Sequence, residues 1–473
     1  MSKPVRTRFA PSPTGFLHVG NVRTALFAYL FAKNQKGSFI LRLEDTDRER
    51  FVDWGATHIV KSLDWLGLKP DEGVWYTETG EHAPYVQSKR LPNYQEFAEK
   101  LIKQGNAYYS YITPEEFQSH KAAAIDTKKP FVYKQNMEPE EHSKETNGYP
   151  VRLKVPAGVT KWKDELRGEF ETKNELIDDF ILIKADGFPT YNFAHIVDDY
   201  LMKITHIIRG DEFISSMPKY AALYDLLKID RPTIVHMPPI LGPDGKKKLS
   251  KRDGDVDVLE YKEKGYLPEA LVNFLALLGW NDGTEQEIFS HDELVKRFSL
   301  DRVQKSPAVF DINRLAWMNG EYIRELPTDE LLKRLEPFLP ASWYKHNDYL
   351  TRVVELDKDR IKKLSDAEYL MEIFFTEPKV DKELLTKKDK PEDVENWLEV
   401  VASDLKDVEF NHDVIEKALR KLAEAGDINT GNLFYALRIA LTGRTEAPGL
   451  FDIFATLGKE ESLKRLETAK NLL

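Results

Sequence analysis

Two short segments about 230 residues apart carry residue types suited to polyphosphate chemistry. The first is Pro11-Ser12-Pro13-Thr14-Gly15-Phe16-Leu17-His18-Val19-Gly20-Asn21, between a strand-like run and a helix-forming one. A helix opening there directs its unpaired N–H groups and the positive end of its dipole at an anion. Small residues let a nucleotide approach the backbone, and the His18 imidazole can donate to a phosphate oxygen. The second segment, Lys248-Leu249-Ser250-Lys251-Arg252, follows the turn Gly242-Pro243-Asp244-Gly245. Its Lys248 and Lys251 can neutralise charge building on the α-phosphate and on leaving pyrophosphate. In this order the two segments describe an ATP site that makes an acyl-adenylate. No general base is required, because a carboxylate is already a nucleophile and positioning with charge stabilisation suffices. Taken singly, His18–Asn21 also fits an ordinary turn, and Lys246–Arg252 a solvated charge run.

Three further side chains stand out by context. In Leu41-Arg42-Leu43-Glu44-Asp45-Thr46-Asp47, carboxylates follow a strand, at the edge where an open parallel sheet binds ligands. Glu44 suits a substrate ammonium group, whereas Asp45, Thr46 and Asp47 fit a helix-capping cluster equally well. Arg8 and Arg209 interrupt apolar strand runs, which is costly unless each meets an anion. A structural ion pair satisfies that demand, and so does a substrate bearing two carboxylates.

The elements that position these residues follow from periodicity. Val5–Ala10 and Ser38–Glu44 read as strands, with a helix Val19–Asn34 between them stopped by Gly37. Strands at Ile204–Ile208 and Thr233–His236 flank a helix near Pro218–Leu227. The fold class expected is α/β, a doubly wound parallel sheet of Rossmann type split by an α+β insertion and followed by an all-α C-terminal region. The boundaries expected are 1–85 for the first half of the nucleotide domain, 86–191 for the insertion (with a strand at Val151–Val155) and 192–240 for the second half. A linking region at 241–326 and a helical region at 327–473 follow. In the last, Ile415, Leu419, Leu422 and Ala423 recur at helical spacing between Asn411 and Gly426.

Bulk composition narrows the class. At 473 residues, 41% hydrophobic and 31% charged, the chain suits a multidomain globular protein and not a disordered one. It has no cysteine, which removes disulfides and cysteine-ligated zinc and fits a reducing compartment. Met1-Ser2-Lys3-Pro4 is no signal peptide, and Leu271–Trp280 is too short an apolar run to span a bilayer, so a cytoplasmic protein without a membrane partner is expected. A net charge of −11 argues against wholesale nucleic-acid binding but permits a local basic face, for which Arg360-Ile361-Lys362-Lys363 is the candidate.

These motifs occur in order with Gly187-Phe188-Pro189-Thr190-Tyr191-Asn192-Phe193-Ala194, Ile207-Ile208-Arg209-Gly210-Asp211-Glu212, Trp317-Met318-Asn319-Gly320 and Leu441-Thr442-Gly443. The whole chain resembles the bacterial-type glutamyl-tRNA synthetases, class I aminoacyl-tRNA synthetases. The resemblance implies that glutamate attacks ATP, supplied with Mg2+, to form glutamyl-adenylate, and that the 2′-hydroxyl of the terminal adenosine of tRNA-Glu then takes the glutamyl group. It implies that bound tRNA is needed before activation, and it leaves open whether tRNA-Gln is a second acceptor. It assigns ATP to Thr14, His18, Gly20, Asn21, Glu212, Lys248 and Lys251, and names His18, Lys248 and Lys251 as catalytic. Arg8 and Tyr191 take the substrate side-chain carboxylate, Arg209 the α-carboxylate, and Ser12 and Glu44 the amino group, while His195 lines the pocket. Arg360 falls where the family reads the last anticodon base. Some relatives carry a zinc knuckle in the insertion; without cysteine none is expected here. A monomer is expected, since no dimer-forming heptad is evident. The rival readings are a glutaminyl enzyme, a small-molecule adenylate-forming ligase and an inactive RNA-binding paralogue. The helical C-terminal region opposes the first two, and retention of the catalytic side chains opposes the third.

Overall fold

The computed structural model describes residues 3–126, 131–140, 145–249 and 257–473, and the chain divides into two compact units. The first comprises residues 1–262 and 268–312; the second comprises 263–267 and 313–473.

In the first unit, β1 (Arg6–Phe9), α1 (Val19–Asn34) and β2 (Ser38–Leu41) form a β-α-β unit with parallel strands, Arg8 opposite Ile40. The helix has the expected bounds. Gly37 is required after it, because a Cβ there would lie 2.1 Å from the Val5 carbonyl oxygen. Both strands are shorter than their apolar runs suggest. Beyond Leu41 the chain leaves the ladder, Leu43 bridges to Val86 alone, and Arg42 and Glu44 are turned into a buried ion-pair cluster. α2 (Gly55–Trp65) and β3 (Glu72–Gly73) extend this side of the sheet.

The intervening segment holds α3 (Leu91–Lys103), β4 (Ala107–Tyr109), α4 (Pro114–Asp126), β5 (Val151–Leu153), the hairpin β6 (Val159–Asp164) and β7 (Gly168–Lys173), and β8 (Ile181–Ile183). β4, β5 and β8 make an antiparallel sheet, with β5 ending at Leu153 rather than at Val155. In the hairpin Trp162 stacks on its cross-strand partner Phe170 at 4.2 Å. The chain then returns through α5 (Tyr191–Leu201), β9 (His206–Gly210), α6 (Met217–Leu227) and β10 (Thr233–Met237). The main sheet has the order β10-β9-β1-β2-β3, all parallel. Strand order therefore reverses between β1 and β9, and the crevice beyond their carboxyl ends is where such sheets bind ligands. β11 (Ile240–Leu241), α7 (Val258–Glu263), α8 (Pro268–Leu277), α9 (His291–Arg297) and β12 (Ala308–Val309) follow, β11 and β12 pairing in parallel. Buried Arg23 of α1 donates to the carbonyls of Leu278 and Pro238, tying the first motif's helix to the segment after β10.

The second unit is helical: α10 (Ile312–Glu325), α11 (Thr328–Leu335), α12 (Asn347–Asp357), α13 (Ala367–Phe375), α14 (Lys382–Leu385), α15 (Pro391–Asp404), α16 (His412–Ala425), α17 (Thr430–Thr442) and α18 (Leu450–Lys470). Asn411 caps α16 by accepting from the Val414 N–H, Ile415 and Leu419 are fully buried, and Gly426 ends the helix. Buried Arg465 joins three helices, donating to the carbonyls of Ile373, Thr376 and Leu441 and pairing with Glu461 at 2.7 Å. Arg465→Met leaves those carbonyls without a donor, and we expect it to destabilise this unit by about 3 kcal/mol or more in urea unfolding. A change within about 0.5 kcal/mol would show that water replaces the guanidinium there. Among the described residues no helix is long and apolar enough to cross a membrane.

Candidate active site

The first motif is built around the start of α1. His18 is its N-cap, and its Nδ1 accepts from the Gly20 N–H at 2.9 Å. An accepting Nδ1 places the ring proton on Nε2, so the cap bond itself supplies a donor of the kind a phosphate needs. A Cβ on Gly20 would lie 3.2 Å from that Nδ1 and crowd the bond. Ser12, Thr14 and Asn21 are exposed around this turn, Thr14 donating its N–H to the Ser12 carbonyl. On the facing segment Lys248 pairs with Glu212, just past β9, at 3.6 Å, with both side chains more than half exposed. The first motif is tied to the segment that follows the second, Val258 donating to the Leu17 carbonyl and His18 bridging Asp257, while Leu249 donates to the Ile240 carbonyl. Lys251, with Ser250 and Arg252, lies outside the described residues.

Behind this surface lies a buried ion network. Arg8 donates from Nε to both Asp199 oxygens, at 3.2 and 3.4 Å. Arg42, wholly buried, donates to Asp199 at 2.8 Å and to Glu44 at 3.0 Å. Neighbouring Asp198 accepts from Arg90 at 2.6 Å, Tyr94 at 2.8 Å and Gln87 at 2.9 Å. Burial would raise the Asp199 carboxyl, but Arg8 and Arg42 outweigh it and hold it at about 2. For Glu44 burial wins over Arg42 and Arg8, and its carboxyl is raised. Arg8 thus realises the ion-pair alternative, yet its hydrogen bonds among the described residues use only Nε and leave both Nη atoms for a ligand. Of the capping candidates, Asp45 accepts from the Ser88 N–H in the short 3-10 helix Gln87–Lys89, whereas Asp47 pairs with Arg50.

Arg209 differs from Arg8. It is buried, donates from Nε to His236 at 3.1 Å and from Nη2 to the Met217 sulfur, and has no carboxylate within 4 Å among the described residues. Its Nη1 is buried with no hydrogen-bond partner. The rings of Phe213 and Tyr220 lie 4.9 and 5.0 Å from its guanidinium. A buried cation between aromatic faces with an unused donor fits a carboxylate.

Tyr191 and His195 wall the same crevice, their rings stacked at 4.8 Å. His195 Nδ1 lies 2.7 Å from the Tyr191 carbonyl and donates to it, so Nε2 is an acceptor. Burial, reinforced by Arg209, pushes the imidazole down to about 3. A neutral ring with an accepting Nε2 cannot donate to a carboxylate, so His195 shapes the pocket and offers a partner only to an N–H or O–H. The unfolded chain takes up this proton at about pH 6.5 and the folded one does not until about 3. Folding stability therefore falls as pH drops from 6.5 towards 3, by about 1.4 kcal/mol per unit at most. We expect His195→Gln to flatten that loss in urea midpoints measured between pH 7 and 5; an unchanged slope would contradict it.

In the helical unit the expected basic patch at Arg360-Ile361-Lys362-Lys363 is broken up. Ile361 is fully buried, Lys363 pairs with Asp366 at 3.4 Å, and Arg360 pairs with Asp357. Burial pushes the Asp357 carboxyl up to about 6, with Arg360 and Arg444 opposing. Other arginines of this unit are likewise engaged: Arg438 donates to the carbonyls of Ala447 and Pro448, and Arg444 pairs with Glu372 at 2.8 Å and lies 4.0 Å from the exposed Tyr369 ring. Sequence reasoning assigned no role to Arg42, Arg90, Asp198, Asp199 and His236. The available signal was a charge inside an apolar run, which Arg42 and the Asp198-Asp199 pair both show.

Residues 4–317 match the family of tRNA synthetases class I (E and Q), catalytic domain, and residues 330–470 match an anticodon binding domain. A glutamate–tRNA ligase of Roseiflexus castenholzii is 44% identical over 495 residues, covering 99% of this chain and 97% of the relative. One from Clostridium kluyveri is 43% identical over 475 residues, covering 98% and 97%. The crystal structure of a glutamate tRNA ligase from Elizabethkingia meningosepticum in complex with its amino acid matches with a TM-score of 0.91 at 35% identity, over 100% of both chains. Agreement at this level along both units leaves one assignment: the chain belongs to the glutamate–tRNA ligase family of class I tRNA synthetases.

Proposed function

We propose that the protein activates L-glutamate with MgATP to glutamyl-adenylate and transfers the glutamyl group to the 3′-terminal adenosine of tRNA-Glu. The observation that carries this reading is Arg209, a buried guanidinium with an unused Nη1 and no carboxylate partner among the described residues. Arg209 holds the α-carboxylate. Arg8, whose Nη edge is free of Asp199, takes the side-chain carboxylate together with the Tyr191 hydroxyl, and Glu44 with Ser12 takes the ammonium group. His195 contributes pocket shape. Requiring two carboxylates at a fixed separation selects glutamate over monoacids, because leaving either arginine buried and unpaired is expensive.

An α-carboxylate oxygen attacks the α-phosphorus of ATP, the α–β bridging bond breaks, and pyrophosphate leaves with the electron pair. His18 Nε2–H and the α1 N-terminus meet the phosphates, beside Thr14, Gly20 and Asn21. Lys248 and Lys251 take up the charge that grows on pyrophosphate, and Glu212 orients Lys248. In the second step the terminal ribose 2′-hydroxyl attacks the glutamyl carbonyl, its proton is released, and AMP leaves. Mg2+ enters with ATP as part of that substrate. The reading places the enzyme in the cytoplasm as a monomer.

Anticodon reading is assigned to Arg360 in the helical unit, where the exposed Tyr369 ring also suits a splayed base. Charging of tRNA-Glu and tRNA-Gln transcripts with labelled glutamate tests the reading; failure to charge tRNA-Glu would overturn it. Arg360→Gln is expected to narrow the difference in kcat/KM between the two transcripts. An unchanged ratio would remove Arg360 from anticodon reading.

A further inference from the structure

Arg8 and Arg209 share one design: in each, Nε is fixed by a buried acceptor and Nη donors are left over, both of them in Arg8 and Nη1 in Arg209, whose Nη2 donates to the Met217 sulfur. For Arg8 the acceptor is Asp199; for Arg209 it is His236, the register partner on neighbouring β10. His236 is fully buried, and its Nδ1 lies 2.7 Å from Oδ2 of Asp164, at the end of β6 in the insertion. Asp164 is also fully buried and has no acceptor capacity to spare. Its Oδ1 accepts from the N–H groups of Leu166 at 2.9 Å and Arg167 at 2.7 Å, and its Oδ2 from the His236 N–H at 3.0 Å and from Nδ1. β10 is the sheet's edge strand, and the hairpin covers that edge, with Glu165 donating to the Ile234 carbonyl.

The consequence is a fixed tautomer. Asp164 holds the proton on Nδ1, so Nε2 is a lone pair aimed at Arg209 Nε–H. Burial keeps the ring neutral, which preserves that lone pair. Because the acceptor is uncharged, Arg209 is oriented without being neutralised, and its full charge remains for a ligand. A carboxylate in the place of His236 would have cancelled it.

From this geometry we infer that His236, held by Asp164, is a positioning residue for Arg209, and that the inserted hairpin thereby sets the affinity of the site for the substrate α-carboxylate. This rests on the reading of Arg209 given above. The relay acts on one end of the amino acid only, and that makes it separable from a packing role.

The test is calorimetric binding of two ligands to full-length protein: L-glutamate, and its analogue with the α-carboxylate reduced to a primary alcohol. His236→Phe keeps a ring but removes both nitrogens; His236→Gln supplies an amide N–H for Asp164 and a C=O for Arg209. For His236→Phe the expected result is a roughly ten- to hundredfold loss of glutamate affinity, the scale of one hydrogen bond to a charged group, with the alcohol's affinity nearly unchanged. His236→Gln should bind both ligands nearly as tightly as wild type, a result that can be read even if the Phe variant fails to fold. Equal losses for both ligands in the Phe variant, or a Gln variant that loses tenfold or more of its glutamate affinity, would overturn the relay while leaving glutamate activation intact. Wild-type protein that does not bind glutamate would overturn the functional reading and the relay with it.

Discussion

Arg209→Leu is expected to lower kcat/KM for glutamate on the order of 10²- to 10³-fold, with most of the effect in KM, the usual cost of truncating one partner of a buried charge pair. Nothing compensates this charge: no carboxylate lies within 4 Å of Arg209 among the described residues, and Nη1 has no hydrogen-bond partner. Leucine should be tolerated structurally, because the aromatic faces of Phe213 and Tyr220 already surround the side chain. The thermal midpoint of the apo protein is therefore expected to change little, since removal of a buried cation without a counter-ion offsets leaving His236 Nε2 without its donor. A KM within about tenfold of wild type, together with a lower midpoint, would mean that Arg209 is structural and that the α-carboxylate is bound elsewhere.

Asp199→Ala is expected to have the opposite profile, a loss of stability before any loss specific to substrate. It strips the partner from Arg8 Nε and from Arg42 Nη1 at once, leaving two buried guanidinium groups undercompensated. Breaking a buried pair in this way costs about 3–5 kcal/mol. Asp199→Asn retains acceptors but no charge and should fall between the alanine variant and wild type. Titration gives an independent check. Because the carboxyl is held at about 2 when folded and lies near 3.8 when unfolded, its contribution is fully present above about pH 4. It is lost as pH falls towards 2, and amounts to about 2 kcal/mol. A variant that unfolds like wild type in urea at pH 7 would show that Asp199 does not hold the network together.

What the sequence made legible is what local chemistry determines. The helix Val19–Asn34 was readable because an apolar run lies between a small-residue turn and Gly37, whose missing side chain the Val5 carbonyl requires. Arg8 and Arg209 were readable because a cation inside an apolar strand demands an anion. Their actual partners were not, since those are set by topology: Asp199 reaches Arg8 across 191 residues, and Asp164 reaches His236 across 72. The shortened β2 has the same origin, because nothing within Leu41-Arg42-Leu43-Glu44 announces that the chain must leave the ladder to bury two charges. His18 reads in the sequence as a candidate phosphate donor, whereas its service as the N-cap of α1, which fixes its tautomer, is set by the fold. At Arg360–Lys363 a run of consecutive residues does not reveal which side chains share a face: Ile361 points into the core, while Arg360 and Lys363 pair with Asp357 and Asp366.

The central claim is that the crevice between β1 and β9 makes glutamyl-adenylate. Glutamate-dependent ATP–pyrophosphate exchange, with and without purified tRNA-Glu, tests it most directly. The account predicts exchange that requires glutamate, is not supported by glutamine at equal concentration, and appears when tRNA-Glu is present. Absence of exchange in every combination of glutamate, ATP and tRNA-Glu would contradict it.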